Sequence, residues 1–477
     1  MEQFLKRDTH GSYISGSFQN QTADKSIDLI SPVLNKAWAK LCLAGTSVTQ
    51  QAIEGSVAAF QTWKMTPPPS RALYLRKLAD LLVENKDALA QLITLEMGKT
   101  IKEALGEVQY GAGYFNWYAG EAERLYGSLV PSQFPDKRLM VRYESVGVCA
   151  AITPWNFPLA MPARKLAPAL AAGCTMVLKP SPETPLTALA LAYLSREANI
   201  PNDVFNVVVG DEEVVGAAML ESNSIRKLTF TGSTQVGRYL YARSADTLKK
   251  LSLELGGHAP FIVCDDANLD AAIEGLLSAK LRNNGQACIA PNRVFVHEDI
   301  YDDFIDLLSI AVRAIKVGDP RDEKTDVSYI LHPESIKKVE KHVEDAIIKG
   351  AKPISLGNEV YEPKILADVS PDMLVFNEET FGPVIPITSF SSFGEVVSLA
   401  NDTGAGLAAY VYSDGMMQAH ALVEALEYGI VGVNDGLPST PQAPFGGVKD
   451  SGFGREGGSS GIREYLTEKY ISFGFHL

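Results

Sequence analysis

The sequence predicts an α/β protein built on mainly parallel sheets covered by helices on both faces. Short apolar runs alternate with longer amphipathic stretches from residue 146 to about 433, the pattern of buried strands joined by helical crossovers. The chain, at 477 residues, exceeds what one compact core holds, so two or three domains are expected. No internal repeat and no low-complexity linker interrupts it, so the domains pack tightly rather than hang on tethers.

In chain order, residues 47–63 and 70–97 carry apolar side chains at three- and four-residue spacing. The break Thr66-Pro67-Pro68-Pro69 separates them. Residues 105–126 form a third helix whose aromatic stripe reads as core rather than as a ligand box. A short buried strand over 146–152 leads through a loop into an apolar helix that ends at Gly173. Strands over 175–178, 204–209 and 227–230 then alternate with helices over 186–198, 212–219 and 234–245. Parallel sheets of this kind bind ligands at the carboxyl ends of their strands, and a dinucleotide is the default ligand. A second alternating region begins at Pro260, with strands over 261–263, 294–296 and 408–411 and helices over 268–284 and 301–315. The tail is glycine-rich over 444–461 and returns to a strand over 469–475.

Apolar residues make up 46% of the chain and charged residues 21%, the balance of an ordinary soluble protein. A net charge of −14 argues against nucleic acid or an anionic membrane as partner. It also means that an anionic substrate needs a local cationic pocket. Residues 1–22 are polar and lack a signal-peptide core, and no apolar run approaches a membrane span. The five cysteines, Cys42, Cys149, Cys174, Cys264 and Cys288, are odd in number and scattered. That pattern suits neither a disulfide framework nor a metal site, and a reducing cytoplasm is expected.

Four segments carry candidate chemistry. Cys288 lies in Asn283-Asn284-Gly285-Gln286-Ala287-Cys288, a glycine-flanked turn after a helix, where backbone N–H groups can stabilise a thiolate or an oxyanion. Taken alone, an isolated cysteine is more often buried and inert. Glu254 closes the apolar run Leu251-Ser252-Leu253-Glu254. Desolvation there raises a carboxyl pKa, which a general base needs, although a structural ion pair is an equal reading. Asn156 stands between Pro154 and Pro158, so its amide is rigidly aimed, as an oxyanion donor or as an ordinary loop asparagine. Phe230-Thr231-Gly232-Ser233-Thr234 is a strand, turn and helix start able to seat a phosphate, weak evidence by itself.

Together these segments resemble the aldehyde dehydrogenase superfamily, over nearly the whole chain. The motifs Pro154-Trp155-Asn156-Phe157-Pro158, Phe230-Thr231-Gly232-Ser233-Thr234, Leu253-Glu254-Leu255-Gly256-Gly257, Gly285-Gln286-Ala287-Cys288 and Glu379-Thr380-Phe381-Gly382-Pro383 stand in the family's order. The 34 residues between Glu254 and Cys288 also match the family's spacing.

The resemblance implies that Cys288 attacks an aldehyde, Asn156 and the Cys288 N–H hold the oxyanion, and Glu254 activates the water that hydrolyses a thioester. Glu254 argues against a branch in which a thiol takes the acyl group. NADP, NAD or both are implied as cofactor, held by Thr153, Pro154, Trp155, Lys179, Ser181, Pro182, Gly210, Gly232, Ser233, Leu255, Glu379 and Phe381. NAD-preferring relatives carry a glutamate three residues after the lysine; Pro182 stands there, so NADP is accepted, with Glu183 one place on.

Arg164, Arg282 and Ser439 match the carboxylate contacts of succinate-semialdehyde dehydrogenases, and Phe445 joins them as a substrate-binding residue. Two guanidinium groups near the nucleophile would anchor a carboxylate and answer the net charge; the other reading of the arginines is structural ion pairing. A second cysteine found two residues after the nucleophile in some relatives is Ala290 here, so that redox switch is absent.

Rival readings are the same chemistry on glutarate semialdehyde or an aromatic aldehyde, a cysteine hydrolase, and a non-catalytic binding protein that keeps the fold. The implied fold has a Rossmann-like cofactor domain over 1–126 and 144–253 and an α/β catalytic domain over 254–443. A β oligomerisation arm over 127–143 and 444–477 completes it. A free strand edge in that arm predicts a homodimer or homotetramer.

Overall fold

The computed structural model describes residues 2–20, 25–355, 357 and 359–475. The final residues of the polar N-terminal stretch, 21 and 22, and the last two of the predicted arm lie outside the described residues.

Five parallel strands form the centre of an eight-stranded sheet, in the order Lys250–Glu254, Ile225–Thr231, Val148–Ile152, Thr175–Lys179, Phe205–Val207. Val148–Ile152 comes first in the chain. The next two strands add to one side of it, and the last two cross over to the other. The order therefore reverses between Val148–Ile152 and Ile225–Thr231, where Ile152 lies beside Phe230. Loops leaving this point diverge and open a crevice at the carboxyl ends. These strands are buried along nearly their whole length, which is why they read as short continuous apolar runs and not as alternation. Gly452–Phe453 extends one edge beside Leu253 and Glu254, and Ser12–Ile14 with Ser17–Gln19 extends the other.

A second, seven-stranded sheet runs Lys352–Ser355, Lys364–Ala367, Val384–Phe390, Pro291–His297, Ala259–Val263, Ala408–Tyr412, Ile430–Val433. It is parallel apart from the pairing of Lys352–Ser355 with Lys364–Ala367. A third sheet pairs Lys137–Ser145 with Ser128–Val130 and, over nine residues, with Leu466–Gly474. The glycine-rich stretch 444–461 lies apart from it, against the first sheet and the cavity described below. No described helix is long and apolar enough to cross a membrane.

Three features differ from the sequence reading. The helix expected over 70–97 is two helices, Pro68–Glu84 and Lys86–Met97, because Asn85 leaves helical geometry and its side-chain amide donates to Leu81 O at 2.7 Å. Short strands occupy the polar N-terminal stretch, and Lys25–Ser31 pairs with Lys36–Leu43. They pair through their backbones, which periodicity does not register. Lys364–Ala367 and Val384–Phe390, not anticipated as strands, are fully or largely buried.

Glu96 joins two of the helices. From Lys86–Met97 its buried carboxylate accepts from Leu186 N (2.5 Å), Thr187 N (2.9 Å) and Thr187 Oγ1 (2.5 Å), satisfying the first turn of Pro185–Glu197. Removing it orphans these donors. Glu96→Ala is expected to lower stability by about 2–4 kcal/mol, read as a lower midpoint in thermal unfolding.

Candidate active site

The cleft forms where the two sheets meet end to end. The carboxyl ends of the first sheet supply 154–157, 231–233 and 255–256; the amino ends of the second supply 287–289, Glu379 and Phe381. Between them lies a cavity of about 250 Å³. Its walls include Asn156, Arg164, Arg282, Cys288, Ser439 and Phe445, so most of the predicted site residues converge on one space.

Cys288 reaches the cavity through a strained turn. After the helix Leu269–Leu281, Asn283 (φ 51°), Asn284 (φ 54°) and Gly285 (φ 76°) are all left-handed. Two asparagines in that region cost about 1 kcal/mol each, so the surroundings must hold them. Asn283 N–H donates to Glu103 Oε1 (2.5 Å) and Asn283 Nδ2 to Asn156 O (3.0 Å). Asn284 Nδ2 donates to Ser328 O (2.7 Å), and Gln286 Oε1 accepts from Leu331 N–H (3.1 Å). Gly285 has no alternative, since a Cβ would sit 2.3 Å from Gly382 O. Burial pushes the Cys288 thiol up to about 12, with Arg164 pulling the other way.

Asn156 is fixed from three sides. One of its N–H groups donates to Gln286 O at 2.9 Å, which leaves the second for an oxyanion. Its backbone carbonyl accepts from Lys99 Nζ at 2.9 Å as well as from Asn283 Nδ2. Lys99 is buried, bonded to Glu107 Oε2 at 2.6 Å, while Glu107 Oε1 accepts from Leu159 N (2.9 Å) and Ala160 N (3.1 Å). This ion pair therefore clamps both sides of the loop that carries Asn156.

Glu254 ends the strand Lys250–Glu254, buried, and neither carboxylate oxygen has a partner among the described residues. Burial first, and the neighbouring Glu456 carboxylate second, hold its pKa well above the ordinary range. Glu456 is compensated where Glu254 is not. Arg164 Nη2 lies 2.9 Å from Glu456 Oε2, and Lys165 Nζ bonds both Glu456 Oε1 and Thr231 Oγ1. Burial alone would raise Glu456, but Lys165 and Arg164 together lower it. Arg164 is thus engaged by an acid and stacked over the Phe445 ring at 3.8 Å. Arg282, half-buried, stacks over Phe157 (5.0 Å) and Tyr110 (5.7 Å) without an ion pair among the described residues.

Pro154, Trp155, Gly232, Ser233, Leu255, Glu379 and Phe381 line the same cavity. Ser233 caps the helix Thr234–Ser244, its side chain accepting from Val236 N–H at 3.3 Å. A Cβ on Gly256 would meet Glu379 Oε2 at 3.0 Å, so glycine keeps this wall open. Burial raises Glu379 to about 7, against a bond from Gly257 N–H at 3.3 Å. Glu254, Thr153, Lys179, Ser181, Pro182 and Gly210 do not line the cavity. They follow or end neighbouring strands along the first sheet's carboxyl edge, with Thr153 N–H bonded to Lys179 O at 3.1 Å. Lys179 is buried, 3.6 Å from Glu212 Oε1, and Ser181 Oγ bonds Glu183 Oε2. Among the described residues no group of three or more His, Cys, Asp or Glu side chains could hold a metal ion.

Sequence reasoning missed Tyr110, Phe157, Met161 and Ile289 in the cavity wall, and the Lys99–Glu107 and Lys165–Glu456 pairs beneath it. Tyr110 belongs to the aromatic helix read as core. Phe157 lay inside a recognised motif and could have been named.

Residues 18–471 match the profile of the aldehyde dehydrogenase family. The chain is 49% identical to the mitochondrial succinate-semialdehyde dehydrogenase of Arabidopsis thaliana, over 97% of this chain and 88% of that protein. It is 46% identical to a glutarate-semialdehyde dehydrogenase of Pseudomonas aeruginosa, over 97% of both. It also superposes on the crystal structure of an NADP-dependent enzyme of E. coli with a TM-score of 0.96, at 44% identity over 99% of each chain.

With the thiol pushed up to about 12, each pH unit below that value changes the thiolate fraction about tenfold. The rate of Cys288 alkylation by iodoacetamide, followed by mass spectrometry, is expected to rise by that factor per unit from pH 7 to 10. A plateau below pH 9 would show a preformed thiolate.

Proposed function

The chain belongs to the aldehyde dehydrogenase family, and from that premise we propose that it oxidises succinate semialdehyde to the dicarboxylic acid through a thioester on Cys288. The observation that carries this reading is one cavity that joins Cys288 and Asn156 to Arg282, a guanidinium without an ion pair among the described residues.

The Cys288 thiol gives its proton to solvent, and its sulfur forms a bond to the aldehyde carbon. Oxygen gains the displaced electron pair, and the second N–H of Asn156, with the Cys288 backbone N–H, stabilises that charge. A nicotinamide held in this cleft would supply the acceptor for the hydride that leaves the carbon, and a thioester would remain on Cys288. Glu254 accepts a proton from a water molecule as that water attacks the thioester carbon. Carbon–sulfur cleavage releases the acid and returns the thiol. A carboxyl group whose pKa is raised by burial is a stronger base than an exposed one, which suits this role.

For the cofactor, Trp155, Gly232, Ser233, Leu255, Glu379 and Phe381 would hold the nicotinamide half, and Lys179, Ser181, Pro182 and Gly210 the adenosine half. The open wall at Gly256 and the helix start at Ser233 fit such a group. NADP and NAD are both accepted in this reading. Pro182 presents no carboxylate to a 2′-phosphate, and Glu183 is turned onto Ser181.

A cofactor domain over 1–126 and 144–253, a catalytic domain over 254–443 and an arm over 127–143 and 444–477 are our proposed division, although of the last segment only Leu466–Gly474 joins the arm sheet and residues 444–461 lie against the first sheet. Exposed Leu129, Tyr470 and Phe473 on the arm sheet support a homodimer or homotetramer. A reducing cytoplasm is the proposed compartment, from the five free thiols.

Within the cavity, whose wall also holds Ser439 and Phe445, Arg282 is the principal carboxylate anchor, because Arg164 is engaged by Glu456. Arg282→Ala is expected to lower kcat/KM for succinate semialdehyde on the order of 100-fold and to affect benzaldehyde far less. Steady-state kinetics on both aldehydes checks this, with glutarate semialdehyde as a third substrate; equal losses on all three would remove the anchor.

A further inference from the structure

Beside the cavity at Cys288 lies a second one, of about 480 Å³. Tyr110, Phe157, Arg282 and Ser439 line both. These four residues therefore form the boundary, called the neck below, between the cavity at Cys288 and its neighbour.

At this neck three hydroxyls form a chain. The Tyr110 hydroxyl lies 2.5 Å from Ser439 Oγ and 2.8 Å from the Tyr114 hydroxyl. Both tyrosines belong to the helix Ile101–Glu123, one turn apart, so the helix fixes their spacing. Tyr114 is fully buried, and burial holds its phenol protonated. Each hydroxyl has one proton to give. Without an anion, either direction of donation along the chain is available. A carboxylate at the neck accepts only, so Ser439 must donate to it, accept from Tyr110, and leave Tyr110 to accept from Tyr114. All three dipoles then align toward the anion, and each bond strengthens the next.

We propose that Tyr110 is a positioning residue for carboxylate recognition: through its hydroxyl it turns the Ser439 O–H toward the far end of the substrate beside Arg282. This rests on the reading that the substrate is an aldehyde with a distal carboxylate. The ring of Tyr110 shapes the neck for any aldehyde, whereas its hydroxyl matters only for the anionic ones. A phenylalanine keeps the first contribution and removes the second.

The experiment compares kcat and KM for succinate semialdehyde and for butyraldehyde, its uncharged counterpart of equal chain length. Wild type, Tyr110→Phe, Tyr114→Phe, Ser439→Ala and the double variant Tyr110→Phe/Ser439→Ala are measured with saturating cofactor. Tyr110→Phe is expected to lower the ratio of the two kcat/KM values roughly fivefold, through KM for succinate semialdehyde. Tyr114→Phe should act in the same direction and less. The double variant should lose no more selectivity than Ser439→Ala alone, because the tyrosine acts through the serine. An unchanged ratio in Tyr110→Phe, or additive losses in the double variant, overturns the proposal while the carboxylate reading stands. A wild type that does not favour succinate semialdehyde over butyraldehyde overturns that reading, and the role of Tyr110 with it.

Discussion

A buried carboxylate with no hydrogen-bond partner among the described residues, Glu254, is the constraint around which the site is organised. Leaving an ionised acid in such a place costs several kcal/mol, so burial holds the pKa of this group well above the ordinary range and makes its ionised form a strong base. The nearby Glu456 differs only in its partners: Lys165 and Arg164 reach it and keep it ionised. The two neighbouring acids are thereby shifted in opposite directions, Glu254 up and Glu456 down. The Cys288 thiol follows the same rule as Glu254.

The sheets explain why such a pocket exists. Glu254 ends the last parallel strand of the first sheet, and Ala259–Val263 opens the second only a few residues later. The carboxyl end of one sheet is thus brought against the amino end of the other. At their meeting Gly257 has no room for a Cβ, which would lie 2.0 Å from Cys288 O. Base and nucleophile come from different sheets, and the loop from residue 154 to 157 closes the pocket from the reversal point of the first. A change in how the sheets dock would separate the reacting groups even if each sheet kept its own core.

Much of this was legible in the sequence. Fully buried parallel strands leave short apolar runs, so the central strands of the first sheet could be read within a few residues. The prolines flanking Asn156, the glycine turn before Cys288 and the apolar run before Glu254 are local features, and local features survive in one dimension. What stayed hidden depends on distance. Lys165 and Glu456 are 291 residues apart, and nothing in either neighbourhood announces the other. The same holds for Glu103, which secures Asn283 from 180 residues away. Tyr110 was hidden for a different reason, since an aromatic on an amphipathic helix has the same pattern whether it faces a core or a cavity. Asn85 broke a helix by a side-chain bond that apolar spacing does not encode.

The central claim is that Cys288 carries the acyl group while Glu254 directs water to it. Its most direct test is intact-protein and peptide mass spectrometry of Glu254→Gln, mixed with succinate semialdehyde and oxidised cofactor, alongside the absorbance of reduced cofactor. The account predicts an acyl adduct on Cys288 that accumulates with a burst of reduced cofactor equivalent to the active sites, followed by slow turnover. No adduct on Cys288 and no reduced cofactor, with wild type equally inert toward every aldehyde tried, would contradict it.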